Sequence, residues 1–206
     1  MMIPNAKINL LDVWKDNPFA EFSIAEIMKI SGKKTKPWVF NALKLFTKQN
    51  LLILKRKGNM NTYLLNLRNP CLVQTLQYIE AQKSFGFPRL DEIIEAIDAI
   101  PLKTYCLLVF GSYAGANQTK GSDLDVCILA ESKAAEKSIR PHFNEIKLNY
   151  PVTIDEHYIT FDDFVNMLLA DEENLGKQIF RKHKIFFNPD IYYRLIKEAH
   201  KHGFRP

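Results

Sequence analysis

Nowhere in these 206 residues is there an apolar run of about 18, the length a membrane-crossing helix requires. The opening residues, MMIPNAKINLLDVW, lack the apolar core and small-residue cleavage site of a secretory leader, so a cytoplasmic protein with no membrane partner is expected. Cysteine is scarce. Cys71, Cys106 and Cys127 are scattered, odd in number and never in a C-x-x-C pair. That excludes a disulfide framework and a thiolate zinc site, and the three are expected to be reduced, buried thiols. There is no internal repeat and no low-complexity tract, which excludes a solenoid.

What the chain has is an ordinary apolar content of 47%, enough for a sizeable core in one large domain or two small ones. Its net charge of +5 is unevenly spread. Residues 1–68 hold 12 Lys and Arg against 4 Asp and Glu, whereas residues 69–206 hold 16 against 19. A basic first third and a mildly acidic remainder imply two domains with different partners, the first suited to nucleic acid.

The first third has helical punctuation. INLLDVWKDNP carries Ile8, Leu11 and Trp14 at helical spacing and stops before Pro18. FSIAEIMKISG offers Ser23 as N-cap with Glu26 three residues on, the spacing of a capping box, and Gly32 as its end. TKPWVFNALKLFTKQN offers Thr35 as N-cap and Pro37 in the first turn. Val39, Ala42, Leu43 and Phe46 should face a core, and Asn41, Lys44 and Lys48 water. LLILKRKGNMNTYLLNL reads as two short strands around a basic turn, Lys55, Arg56, Lys57 and Gly58.

Three helices followed by a basic hairpin resemble the winged helix-turn-helix of bacterial and archaeal regulators, over about residues 8–67. The resemblance implies a third helix in the major groove and a wing on the backbone. Lys33, Lys34, Lys36, Asn41 and Lys44 would then contact groove or phosphates, and Lys55, Arg56 and Lys57 would be wing contacts with DNA or RNA. Equally, these lysines would solvate a small domain.

Two further helices are expected, one from Cys71 to Lys83 with Leu72, Leu76 and Ile79 inward, and RLDEIIEAIDAI before Pro101. Residues 69–100 are read as a helical linker. From 101 to 206 the pattern changes to buried strands, KTYCLLVFGS, DLDVCILA and PVTIDEHYIT. Between the last two lies a helical stretch that Pro141 should kink or divide. Three helical segments and a short apolar stretch, KIFFNP, complete the chain.

The chemistry concentrates in VFGSYAGANQTKGSDLDVCIL. Gly111 and Ser112 end the first strand, where glycine permits close backbone approach and the N–H groups of a new helix favour an anion. Asp123 and Asp125 open the second strand. Period-2 alternation places both on one face, with Leu124 and Val126 toward the core. Two like charges so close repel, and a hard divalent cation such as Mg²⁺ (or Mn²⁺) relieves the repulsion while bridging to phosphates.

The pattern G-S-x9-S-D-x-D, made by Gly111, Ser112, Ser122, Asp123 and Asp125, resembles the DNA polymerase β-like nucleotidyltransferase superfamily, and most its minimal prokaryotic members. Together the two resemblances imply an α+β fold, a winged helix-turn-helix at 1–68 followed by a small mixed-sheet nucleotidyltransferase domain with flanking helices. The second implies nucleotide contacts from Gly111, Ser112 and Ser122, and metal ligands in Asp123 and Asp125. It also implies a third carboxylate on a later strand, as ligand and as base for the acceptor hydroxyl. In PVTIDEHYIT, alternation with Val152 and Ile154 inward favours Asp155, and Glu156 needs a register change. His157, beside it, is either a substrate contact or a structural residue. The chain departs from the family where Ala116 stands in place of a common Gly, and Gly115 in place of a common Arg or Lys. Lys120 is a phosphate contact or a solvated loop residue. Lys177, Arg181, Lys182 and Lys184 would reach a triphosphate or an acceptor RNA, or form a solvated face.

The resulting expectation is a metal-dependent enzyme that transfers a nucleoside monophosphate from an NTP, ATP first among them, to a hydroxyl on a protein, RNA or small molecule. Two alternatives stand beside it. One is a DNA-binding regulator whose nucleotidyltransferase-like domain only senses nucleotide. The other is an antitoxin that modifies a partner protein.

Overall fold

The computed structural model describes residues 5–88, 90–115, 117–119, 121–148 and 153–206. The chain divides into two compact units, residues 1–79 (with residue 206) and 80–205.

In the first unit, α1 (Asn5–Ile8) runs into a 3-10 helix, Asn9–Trp14, so the expected single helix tightens after one turn. Leu10, Leu11 and Trp14 are buried there, and Trp14 Nε1 donates to the Ala20 carbonyl at 2.9 Å. β1 (Phe22–Ser23) leads into α2 (Ile24–Ser31). The capping box is present. Ser23 Oγ accepts from the Glu26 N–H, Glu26 accepts from the Ser23 N–H at 2.7 Å, and Gly32 ends the helix at φ +67°. α3 (Lys36–Lys48) begins after Thr35, which contributes its carbonyl to Val39 N–H but no side-chain cap. Val39, Ala42, Leu43 and Phe46 are fully buried, whereas Asn41, Lys44 and Lys48 are exposed. Each of the three large side chains contributes about 1.5–3 kcal/mol by leaving water.

β2 (Leu52–Lys57) and β3 (Met60–Leu65) form an antiparallel hairpin, and β1 pairs with β3 to give the order β1-β3-β2. The basic residues belong to β2 itself, and the turn is Gly58 and Asn59. α4 (Pro70–Ser84) spans the division between the units, with Leu72, Leu76 and Ile79 buried.

The second unit starts with the end of α4 and continues through α5 (Leu90–Ala99), β4 (Tyr105–Phe110), the four-residue α6 (Gly111–Ala114) and β5 (Leu124–Ala130). After them come α7 (Lys133–Leu148), β6 (Ile154–Thr160), α8 (Phe161–Leu169), α9 (Leu175–Arg181), β7 (His183–Phe187) and α10 (Pro189–Lys201). Ile93, Ala96 and Ile100, from the segment read as a linker, pack in one core cluster with Leu107, Val109, Val126, Ile128, Ile139 and Phe143. α7 is continuous through Pro141, which is exposed, because Ile139 and Phe143 on either side of it are held in that core. KIFF is a strand.

The sheet is mixed, in the order β6-β5-β4-β7. β5 pairs parallel with β6, and β4 pairs antiparallel with both β5 and β7. This topology sets the end of β4 beside the starts of β5, β6 and β7. One edge of the sheet therefore gathers Phe110 to Ser112, Asp123 to Asp125, Asp155 to His157, and Lys182 with His183. Cys106 and Cys127 are buried and burial pushes both thiols up, but Cys71 is exposed on the first turn of α4.

Candidate active site

Leu124, Val126 and Ile128 face the core cluster, so alternation turns Asp125 to the opposite face at the mouth of β5. Cys127 and Leu129, further along that face, are fully buried, so Asp125 stands where a buried surface opens to water. The β5–β6 register sets Asp155 directly opposite Asp125, and His157 Nε2 lies 3.2 Å from Asp155 Oδ2. Glu156 points to the other face and pairs with Lys147. Asp123 is exposed immediately before β5.

Burial raises the Asp125 carboxyl above the usual aspartate range, and the charges of Asp155 and Asp123 raise it further. His157 and the Ser112 N–H, which donates to the carboxylate, act the other way. These are signs of three carboxylates sharing one field. Their donor set is all oxygen, which suits Mg²⁺ or Mn²⁺, although among the described residues no three acidic, His or Cys side chains yet stand in a ligand arrangement.

Gly111 has φ +65°, and a Cβ there would lie 2.0 Å from Asp125 Oδ2. The close approach expected of this glycine is thus made by the chain's own carboxylate. The Ser112 N–H, expected to face an outside anion, serves Asp125, and α6 is too short for a substantial dipole. Ser122 Oγ accepts from Thr119 N–H at 2.8 Å and lies 3.1 Å from Thr119 Oγ1, so it closes the loop turn instead of lining the cleft. Ala116, Lys120 and Val152 lie outside the described residues.

A cleft of about 500 Å³ opens beside these groups, lined by Phe110, Gly111, Ser112, Asn117, Asp125, Gln178, Arg181 and Lys182. The tail's basic cluster therefore divides. Arg181 and Lys182 line the cleft, Lys177 Nζ donates to the Asp171 carbonyl, and Lys184 sits over the Phe87 ring. Gln178 carried no sequence signal, since it belongs to no motif and only folding brings it to the cleft, whereas Asn117 lies in the unspecified loop of the Gly-Ser motif and its N–H donates to the Ser112 carbonyl.

Residues 94–192 match the family described as Polymerase beta, Nucleotidyltransferase. The match spans β4 to β7 and agrees with the superfamily resemblance of the Gly-Ser and Asp-x-Asp motif. Among solved structures, one described as "Crystal structure of the toxin-antitoxin with AMP-PNP" is similar at 18% identity. It covers 54% of this chain and 86% of that chain, with a TM-score of 0.35. No curated protein matches. The second unit is a mixed-sheet α+β domain, and its residues 94–192 are similar to that nucleotidyltransferase family.

The first unit shows its basic residues in two states. Lys34, Lys36, Asn41 and Lys44 are exposed on or just before α3. Lys33 lies over the Trp38 ring at 5.3 Å. On β2, Lys55 and Lys57 both pair with Glu21, and Arg56 Nε donates to the Gly58 carbonyl. Two of the three expected wing contacts thus already hold a carboxylate. No helix among the described residues is long and apolar enough to cross a membrane.

Proposed function

We propose that the second unit is a metal-dependent nucleotidyltransferase, moving a nucleoside monophosphate from an NTP to a hydroxyl acceptor and releasing pyrophosphate. The observation that supports this reading is Asp125 on the wall of a cleft of nucleotide size, its carboxyl raised by burial and then by the charges of Asp155, opposite it in the sheet, and Asp123, just before the strand. Asp123, Asp125 and Asp155 would hold Mg²⁺, whose charge would steady the phosphates during transfer. Asp155, exposed and 3.2 Å from His157, would take the acceptor's proton. Ser112 offers its hydroxyl to a phosphate from the cleft wall. Most of the rate would come from positioning and charge stabilisation.

We read the first unit as a winged helix, on its order of helices and antiparallel hairpin, with a nucleic acid as partner. Lys34, Lys36, Asn41, Lys44 and Arg56 are its contacts. Lys55 and Lys57 would join them only by leaving Glu21. The protein works in the cytosol, where exposed Cys71 stays reduced.

The test is calorimetric titration of a non-hydrolysable ATP analogue with Mg²⁺ into the natural chain and into Asp123→Asn, Asp125→Asn. Metal-dependent binding lost in the variant supports the reading. Failure of the natural chain to bind any nucleoside triphosphate analogue overturns it. Binding without turnover on protein, RNA or small-molecule acceptors would favour a nucleotide-sensing regulator.

A further inference from the structure

Gly115 ends α6 with φ −94° and ψ 1°, a conformation open to any residue, so its backbone does not demand glycine. What it does demand is space. A Cβ at this position would stand 1.9 Å from Lys182 Nζ and 2.0 Å from its Cε. The ammonium of Lys182, 67 positions later in sequence, lies where a side chain on residue 115 would be. Lys182 is well anchored. Its N–H bonds to the Gln178 and Ile179 carbonyls, and the next residue, His183, pairs with Phe110 at the last rung of β4. Its neighbour Arg181 is engaged by Glu173, whereas Lys182 Nζ has no carboxylate partner among the described residues. It also lines the cleft, as Asp125 does.

We propose that Lys182 is the cation that holds the outer phosphates of the bound nucleotide, and that residue 115 is glycine because this ammonium fills its place. A cleft that holds both the Asp125 carboxylate and an ammonium with no carboxylate partner suits a polyphosphate, with its metal toward the first and its free oxygens toward the second. The inference rests on the nucleotide reading above.

The experiment titrates the full chain, with Mg²⁺ present, using a non-hydrolysable ATP analogue and, separately, AMP. Lys182→Ala should weaken the ATP analogue about tenfold to a hundredfold, the range of a lost charge-assisted hydrogen bond, and leave AMP unchanged. Gly115→Ala should do the same in direction while keeping the thermal midpoint, because its Cβ meets only the flexible end of a lysine, which swings away. Gly115→Lys combined with Lys182→Ala should regain part of the affinity by returning an ammonium to the site. Unchanged ATP-analogue affinity in Lys182→Ala, or an equal loss for AMP, overturns the proposal and leaves the nucleotide site standing. A natural chain that binds no nucleotide overturns the site itself.

Discussion

Gly111 is constrained twice. Its left-handed backbone costs any other residue about 1–2 kcal/mol, and the space for a Cβ is taken by the Asp125 carboxylate. Gly111→Ala should therefore lower stability by at least about 1–2 kcal/mol in denaturant unfolding and also abolish metal-dependent nucleotide binding, since Asp125 must move. A variant of natural stability and affinity would show that neither constraint matters. The Gly-Ser and Asp-x-Asp spacing was legible in the sequence because alternation along one strand is a local property. Asp155 over Glu156 could only be favoured from the sequence. The parallel register that sets Asp155 opposite Asp125 is a long-range pairing. The partner of Gly111 was not legible, nor was the reason for Gly115, because each depends on a side chain from a distant segment.

At the scale of elements, local chemistry predicted most of what formed. The Ser23–Glu26 box, the Gly32 stop and the buried stripe of α3 all follow from residues within a few positions of one another. The misses have physical causes. The 3-10 turn before Trp14, whose side chains are buried, reflects tertiary packing overriding propensity, whereas Thr35 stands at the N-cap as expected but makes no side-chain bond there. β7 is short and continues almost directly from α9, and only the ladder to β4 makes it a strand. The hairpin supplies a pH test. Hydrogen bonds from Lys55 and then Lys57 bring the Glu21 carboxyl from 4.5 to about 2. A depressed carboxylate stabilises the fold above its unfolded value and loses that contribution as pH falls through the folded one. The natural chain should therefore exceed Glu21→Gln in thermal midpoint above about pH 4.5, and the gap should close between there and about pH 2. A gap that does not change with pH would dismiss the ion pair as a contributor. At neutral pH the same variant frees Lys55 and Lys57, so nucleic-acid binding by the first unit should tighten and its salt dependence steepen, by filter binding across salt concentrations.

For the whole molecule, a ligand that binds only the folded state stabilises it by mass action. Mg²⁺ with the ATP analogue at a hundred times its Kd should add about 2.7 kcal/mol to the natural chain and nothing to Asp123→Asn, Asp125→Asn. Thermal unfolding with and without Mg²⁺ measures this, and equal shifts in both proteins would place the ligand elsewhere. The sequence by itself determined the periodicities: which faces are apolar, where helices start and stop, and that Asp125 lies opposite the core face of its strand, behind a Gly-Ser turn. Those depend on neighbours within a turn or a strand. Tertiary structure alone decided that the cleft includes Gln178, Arg181 and Lys182, that Ser122 closes a turn, and that Glu21 holds two of the basic residues on β2. These depend on strand order and register, through which residues scores of positions apart meet, and no local pattern encodes that meeting.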